Sequence, residues 1–131
     1  MHKTSAWPLS QAYAALIVYA SLYPFSGWRD QGIAPWEFLW SSLPRYWTGF
    51  DVAANMAGYV PLGFLLALSF LRRGRQLRSP PTNLAAIMVA VLTAAVLSLL
   101  MEALQTYLPS RVPSNVDFGL NVGGALLGAV V

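Results

Sequence analysis

Cysteine is absent and histidine occurs once, as His2, in a chain of 131 residues. Without thiols there can be no disulfide and no thiolate nucleophile. With one histidine, next to Lys3 at the N-terminus, neither a histidine-based catalytic triad nor a zinc site is expected. Charge is scarce too. Only 10% of residues are charged, against about a quarter in soluble domains. What fills the space is apolar: 56% of residues are hydrophobic and the mean hydropathy is +0.53. This is a membrane composition. No shift in composition and no Ser/Gly-rich linker divides the chain, so residues 1–131 are read as a single domain.

The net charge of +3 does not point to nucleic acid. Half of the eight basic residues, Arg72, Arg73, Arg75 and Arg78, sit in one block between two apolar runs. The positive-inside rule accounts for that block, and no nucleic-acid partner is expected. At the N-terminus, Lys3 and the apolar residues 12 to 22 have the outline of a secretory leader. The run through Tyr19, Tyr23 and Phe25 offers no small-residue cleavage site, so the segment is read as a retained anchor.

Four apolar segments stand out: Leu9 to Phe25, Asp51 to Leu71, Asn83 to Leu108, and Val116 to the last residue. A helix needs about 20 residues to span a bilayer, at about 1.5 Å rise per residue. The second and third segments meet this, and the first does so if tilted. The fourth is short, which suggests either a truncated chain or a carboxylate placed near the inner headgroups. The expected fold is therefore all-α, an integral membrane bundle of four transmembrane helices. The arginine block places Lys3 and both termini in the cytoplasm, and residues 26 to 50 and 109 to 115 outside.

The outer segment holds Trp28, Trp36, Trp40 and Trp47. Between Pro35 and Pro44, helical spacing gathers Trp36, Leu39, Trp40 and Leu43 on one side. That pattern predicts a short interfacial aromatic helix between the first and second spans, serving as a membrane-anchoring belt or as a lid.

One polar pattern occurs twice. Thr48-x-x-Asp51-x-x-x-Asn55-x-x-Gly58 opens the second segment, and Ser114-x-x-Asp117-x-x-x-Asn121-x-x-Gly124 opens the fourth. Each starts as a helix N-cap with an acid three residues on, then sets Asp, Asn and Gly along one helix face. The third segment carries Glu102 and Gln105 near its end, with Ser98 one turn further in. By helical rise, Asn55, Asn121 and Gln105 lie about 6 Å below the outer surface and Glu102 about 10 Å. Polar groups at such depth are costly, usually face a bundle interior, and mark function.

Each residue also has a plainer role. Asp51 and Asp117 complement a helix dipole; Asn55 and Asn121 bridge helices, with Gly58 and Gly124 allowing close approach; Pro61 kinks a span. Gly124 and Gly128 add a G-x-x-x-G packing pair. Arg111 is the natural counter-charge for Glu102, Asp117 or an anionic ligand. Only for Glu102 does the cost of burial favour function over structure.

Asp51-x-x-x-Asn55 followed by Tyr59-Val60-Pro61-Leu62-Gly63-Phe64-Leu65-Leu66 resembles the VanZ-like family of bacterial membrane proteins. So does Glu102-x-x-Gln105 followed by Pro109, Ser110, Arg111 and the Ser114 to Gly124 motif. The resemblance implies a multi-span protein of the bacterial plasma membrane, in a family whose namesake is associated with teicoplanin resistance. It also implies a polar core of Asp51, Asn55, Glu102, Gln105, Arg111, Asp117 and Asn121.

Three functions compete on these residues. The first is a pocket, open to the outside, binding a lipid or lipid-linked envelope component through those seven side chains. The second is an enzyme acting on such a lipid, with Glu102 or Asp117 as general acid or base. The third is a structural or assembly protein. The first is preferred, because a polar cluster under an aromatic rim suits a headgroup with its tail in lipid. No nucleophile or metal-ligand motif is present, and no metal or cofactor is expected. The partner is a membrane amphiphile, with a second copy of the chain or another membrane protein left open.

Overall fold

The computed structural model describes residues 5–44, 48–74 and 82–131. Lys3, Arg45, Trp47, Arg75 and Arg78 fall outside these, as does the side chain of Arg73. Among the described residues the fold is all-α: α1 (Ala6–Leu22), α2 (Gly49–Gly74), α3 (Asn83–Gln105) and α4 (Asn115–Val130).

The boundaries follow from local chemistry. α1 stops at Leu22 because Tyr23 precedes Pro24, and a residue before proline is driven out of the helical region; Tyr23 lies at φ −55°, ψ 136°. α2 starts on a reciprocal cap, with Asp51 N–H donating to Thr48 Oγ1 (3.1 Å) and Thr48 N–H to Asp51 Oδ2 (2.8 Å). α3 starts where Ala85 N–H donates to Thr82 Oγ1. It ends at Gln105, short of the expected Leu108. From Thr106 to Leu108 the backbone tightens into i→i−3 bonds ahead of Pro109. Pro61 lies within α2, which remains helical on both sides of it.

The aromatic outer helix is not there. Residues 35–44 contain only a 3₁₀ turn, Glu37–Leu39. A helix confined between two prolines has too few residues to propagate. The expected apolar side nevertheless exists, since Trp36, Leu39, Trp40 and Leu43 are exposed while Phe38 is buried. At Arg29, Gln31 and Ser41 the segment is tied to the residues that follow α3 and to the start of α4. Arg29 N–H donates to the Tyr107 carbonyl, Gln31 Nε2 to that of Thr106, and Asn115 Nδ2 to that of Ser41.

α3 is built inside out relative to a soluble helix. Its inner stripe is small or polar (Ala86, Ala90, Ala94, Ser98, Glu102), with Ala90 and Ala94 0% exposed. Its outer stripe (Leu84, Met88, Leu92, Val96, Leu100) is large, apolar and exposed. Water would penalise that arrangement and lipid does not; small residues inside let helices approach closely. Among the described residues two helices are long and apolar enough to cross a membrane: Gly49–Arg72, with mean hydropathy 1.6, and Asn83–Gln105, with 2.6. At 17 and 16 residues, α1 and α4 are below the length of an untilted crossing.

α2 and α4 meet backbone to backbone. A Cβ on Gly124 would strike the Met56 carbonyl, one on Gly128 the Val60 carbonyl, and one on Gly63 the Ala125 carbonyl. Of the two glycines expected to permit close approach, Gly124 does so. Gly58 does not: nothing lies within 4 Å of an added Cβ there. Its carbonyl instead accepts the Tyr13 hydroxyl at 2.6 Å, tying α1 to α2.

Candidate functional site

The two copies of the polar motif have different surroundings. In α2 one oxygen of the Asp51 carboxylate, Oδ2, is used locally, accepting both the N–H and the hydroxyl of Thr48 at 2.8 Å. In α4 the cap is completed from another helix. Asp117 N–H donates to Ser114 Oγ (3.3 Å), but Ser114 N–H donates to Glu102 Oε2 (2.9 Å). Glu102 has taken the role that Asp51 plays in its own cap, and this releases Asp117. Its Oδ1 accepts the side-chain amide of Asn55 across the α2–α4 contact at 3.1 Å.

The remaining polar residues fall into place around that exchange. Asn55 Nδ2 also donates to the Asp51 carbonyl of its own helix (2.9 Å). Asn121 Nδ2 donates to Ser98 Oγ (3.0 Å), between residues that are 4% and 0% exposed. Gln105 Nε2 donates to the Ser21 carbonyl near the end of α1 (3.0 Å). Arg111 donates from Nε to the Tyr23 carbonyl (2.9 Å) and from Nη2 to the Ala20 carbonyl (3.0 Å). The hydrogen bonds of Arg111 thus go to the C-terminal end of α1, whose last carbonyls have no partner within the helix. They do not go to Glu102 or Asp117, as the charges alone suggested.

Six of the seven expected residues (Asn55, Glu102, Gln105, Arg111, Asp117 and Asn121) line one cavity of about 420 Å³. That volume lies within the range of small-ligand pockets, about 300–1,000 Å³. α1 closes one side of it through Ile17, Ala20 and Ser21. Asp51 does not line it. Asp51 lies in an adjoining recess of about 350 Å³, beside Ser41, Ser42 and Asn115, and Asn55 and Asp117 border both spaces.

Tyr59 also lines the cavity. The motif string contains it, but nothing in its character singled it out; its position four residues after Asn55, on the same helical stripe, is the signal. Tyr59 is 5% exposed and its hydroxyl, though near Ser98, makes no well-formed hydrogen bond with a described residue. Asn121 Oδ1 is likewise buried and unpartnered. Buried polar atoms are nearly always hydrogen-bonded, so two orphans on one cavity wall are unusual.

A family model described as VanZ/LLP1 matches residues 2–131. No curated protein and no solved structure matches the chain.

Proposed function

This chain belongs to the VanZ/LLP1 family, and from that premise we propose that it is a multi-pass protein of the bacterial inner membrane that binds an amphiphile. In this reading all four helices cross the bilayer, α1 and α4 with the help of tilt and local thinning. Both termini are cytoplasmic and the cavity opens to the outer face. Its ligand is a lipid or a lipid-linked envelope component, held by Asn55, Glu102, Gln105, Arg111, Asp117 and Asn121. Handling of an envelope lipid also gives the family's association with teicoplanin resistance a chemical basis in this member.

The observation that carries the proposal is the convergence of those six side chains, from three helices and a link, on one cavity with buried polar atoms left unpartnered. A purely structural set of polar residues closes on itself, because an unmade bond in an apolar surrounding is expensive. The exposed Trp36 and Trp40, in the segment before α2, suit the level of the headgroups.

Acid/base chemistry on a bound lipid is the second reading. It is favoured by Glu102 and Asp117 lining the same cavity, each with one carboxylate oxygen that no described donor reaches.

Mass spectrometry of the protein purified in native lipid tests both. A lipid retained by the wild-type chain and lost from Glu102→Gln supports the pocket. Its recovery in chemically altered form, only from the wild type, supports catalysis. A chain that retains no lipid, or a variant that retains as much, refutes the pocket.

A further inference from the structure

The cavity offers acceptors and few donors. Glu102 commits Oε2 to Ser114 N–H and Asp117 commits Oδ1 to Asn55; among the described residues no donor reaches the second oxygen of either. Asn121 gives one amide hydrogen to Ser98 and leaves Oδ1 without a donor. Among the described residues Arg111 is the one cationic residue on the cavity wall, and two of its five N–H groups are taken by the carbonyls of Tyr23 and Ala20. The inner wall therefore lacks positive charge and leaves three acceptor oxygens open, while the outer side keeps three N–H groups to spare.

Few headgroup chemistries complete such a site. A primary ammonium supplies three N–H donors and a positive charge together, and charge-assisted bonds to carboxylates are among the strongest available. A hydroxyl brings one donor and no charge. A quaternary ammonium brings charge and no donor. A phosphate without an amine would face two carboxylates, whereas beside Arg111 it would meet a guanidinium fork suited to it.

Resting on the amphiphile-pocket reading, we propose that the headgroup is a primary amine joined to a phosphate, with the ammonium seated against Glu102, Asp117 and Asn121 and the phosphate held by the remaining N–H groups of Arg111. The ligand class is a phosphoethanolamine-type amphiphile, whether a membrane phospholipid or a free phosphoethanolamine.

The test is calorimetric titration of the full chain in detergent with short-chain phosphatidylethanolamine. The comparison ligands are its N-acetyl derivative, phosphatidylcholine and phosphatidylglycerol of the same chain length, and water-soluble O-phosphoethanolamine. Phosphatidylethanolamine should bind at least about tenfold more tightly than the N-acetyl and choline compounds, the difference expected for losing a charge-assisted bond. Glu102→Gln and Asp117→Asn should each remove that preference. Arg111→Gln should weaken phosphatidylethanolamine by a clearly larger factor than an alkylamine without phosphate. Circular dichroism of each variant separates lost recognition from lost fold.

Saturable binding of O-phosphoethanolamine at comparable affinity would identify the free molecule as the source; binding of the acylated form alone would identify the lipid. Preference for phosphatidylglycerol, dependent on Glu102, would overturn the ammonium assignment and leave the amphiphile pocket standing. Binding of no amphiphile would overturn both.

Discussion

The backbone N–H of Ser114 donates to Glu102 Oε2 over 2.9 Å, so the acid that caps α4 comes from α3 rather than from the cap's own sequence. That bond anchors the start of α4 to the end of α3. It also frees Asp117 to face Asn55 and the cavity. One carboxylate oxygen of Glu102 is thus structural and the other is available.

The division predicts how substitutions at Glu102 behave. Glu102→Gln keeps a carbonyl oxygen for Ser114 N–H and removes a buried charge, so unfolding in detergent should change by less than about 1 kcal/mol. Glu102→Ala strands the Ser114 N–H and should destabilise by about 1–3 kcal/mol. Thermal or denaturant unfolding followed by circular dichroism checks both; equal losses in the two variants would show that the charge itself holds the bundle.

Arg111 should act on α1. Arg111→Gln removes donors to the Tyr23 and Ala20 carbonyls, and Arg111→Lys cannot reproduce two bonds from one planar group. Spin labels at the exposed positions Leu16 and Leu100 should report a broader α1–α3 distance in both variants. Combining Arg111→Gln with Glu102→Gln should give the sum of the separate effects within about 0.5 kcal/mol. Rescue in the double variant would show an ion pair after all.

Glycine positions should divide sharply. Gly124→Leu and Gly128→Leu drive side chains into the α2 backbone, and folded protein should be lost on size exclusion. Gly58→Ala meets nothing within 4 Å and should be tolerated, or gain up to about 1 kcal/mol from helix propensity. Loss of the fold in Gly58→Ala would contradict the separation.

Topology is testable because the chain has no cysteine. A cysteine at the exposed Ser42 should react with an impermeant thiol reagent added to intact cells, and one at Gln76 should react only after lysis. The reverse pattern would invert the orientation and put the cavity on the cytoplasmic side.

The fold was legible where the signal was local. The caps at Thr48 and Ser114 mark two helix starts, because capping hydroxyls act on their immediate neighbours, whereas the first segment, expected over Leu9 to Phe25, is helical over Ala6–Leu22 and stops short of Pro24. The α3 terminus was overrun by three residues since apolar character continues through Leu108 after the helix has tightened. The aromatic outer segment misled because its spacing fits a helix while its two prolines deny it length.

The site was legible as a set and illegible in its wiring. Depth along the helices brought six of seven residues to one cavity. Arg111 was matched with acids because charge is visible in a sequence, whereas the free carbonyls at the end of α1 are carried by every residue and have no signature. Asp51 and Asp117 occupy identical motif positions, and only Glu102, distant in sequence from both, makes them differ. The motif therefore pairs the helices in pattern but not in role: both asparagines line the cavity, yet one acid lies in the adjoining recess.

The glycine contact between α2 and α4 has a mechanical consequence. Two backbones in direct apposition separate along their whole length or not at all, since no long side chain can bridge a partial gap. α1 is fastened differently, by Tyr13 at its middle and by Gln105 and Arg111 at its end, bonds that can be released one at a time. The bundle is thus joined in two ways, by a continuous backbone seam between α2 and α4 and by separate point attachments along α1.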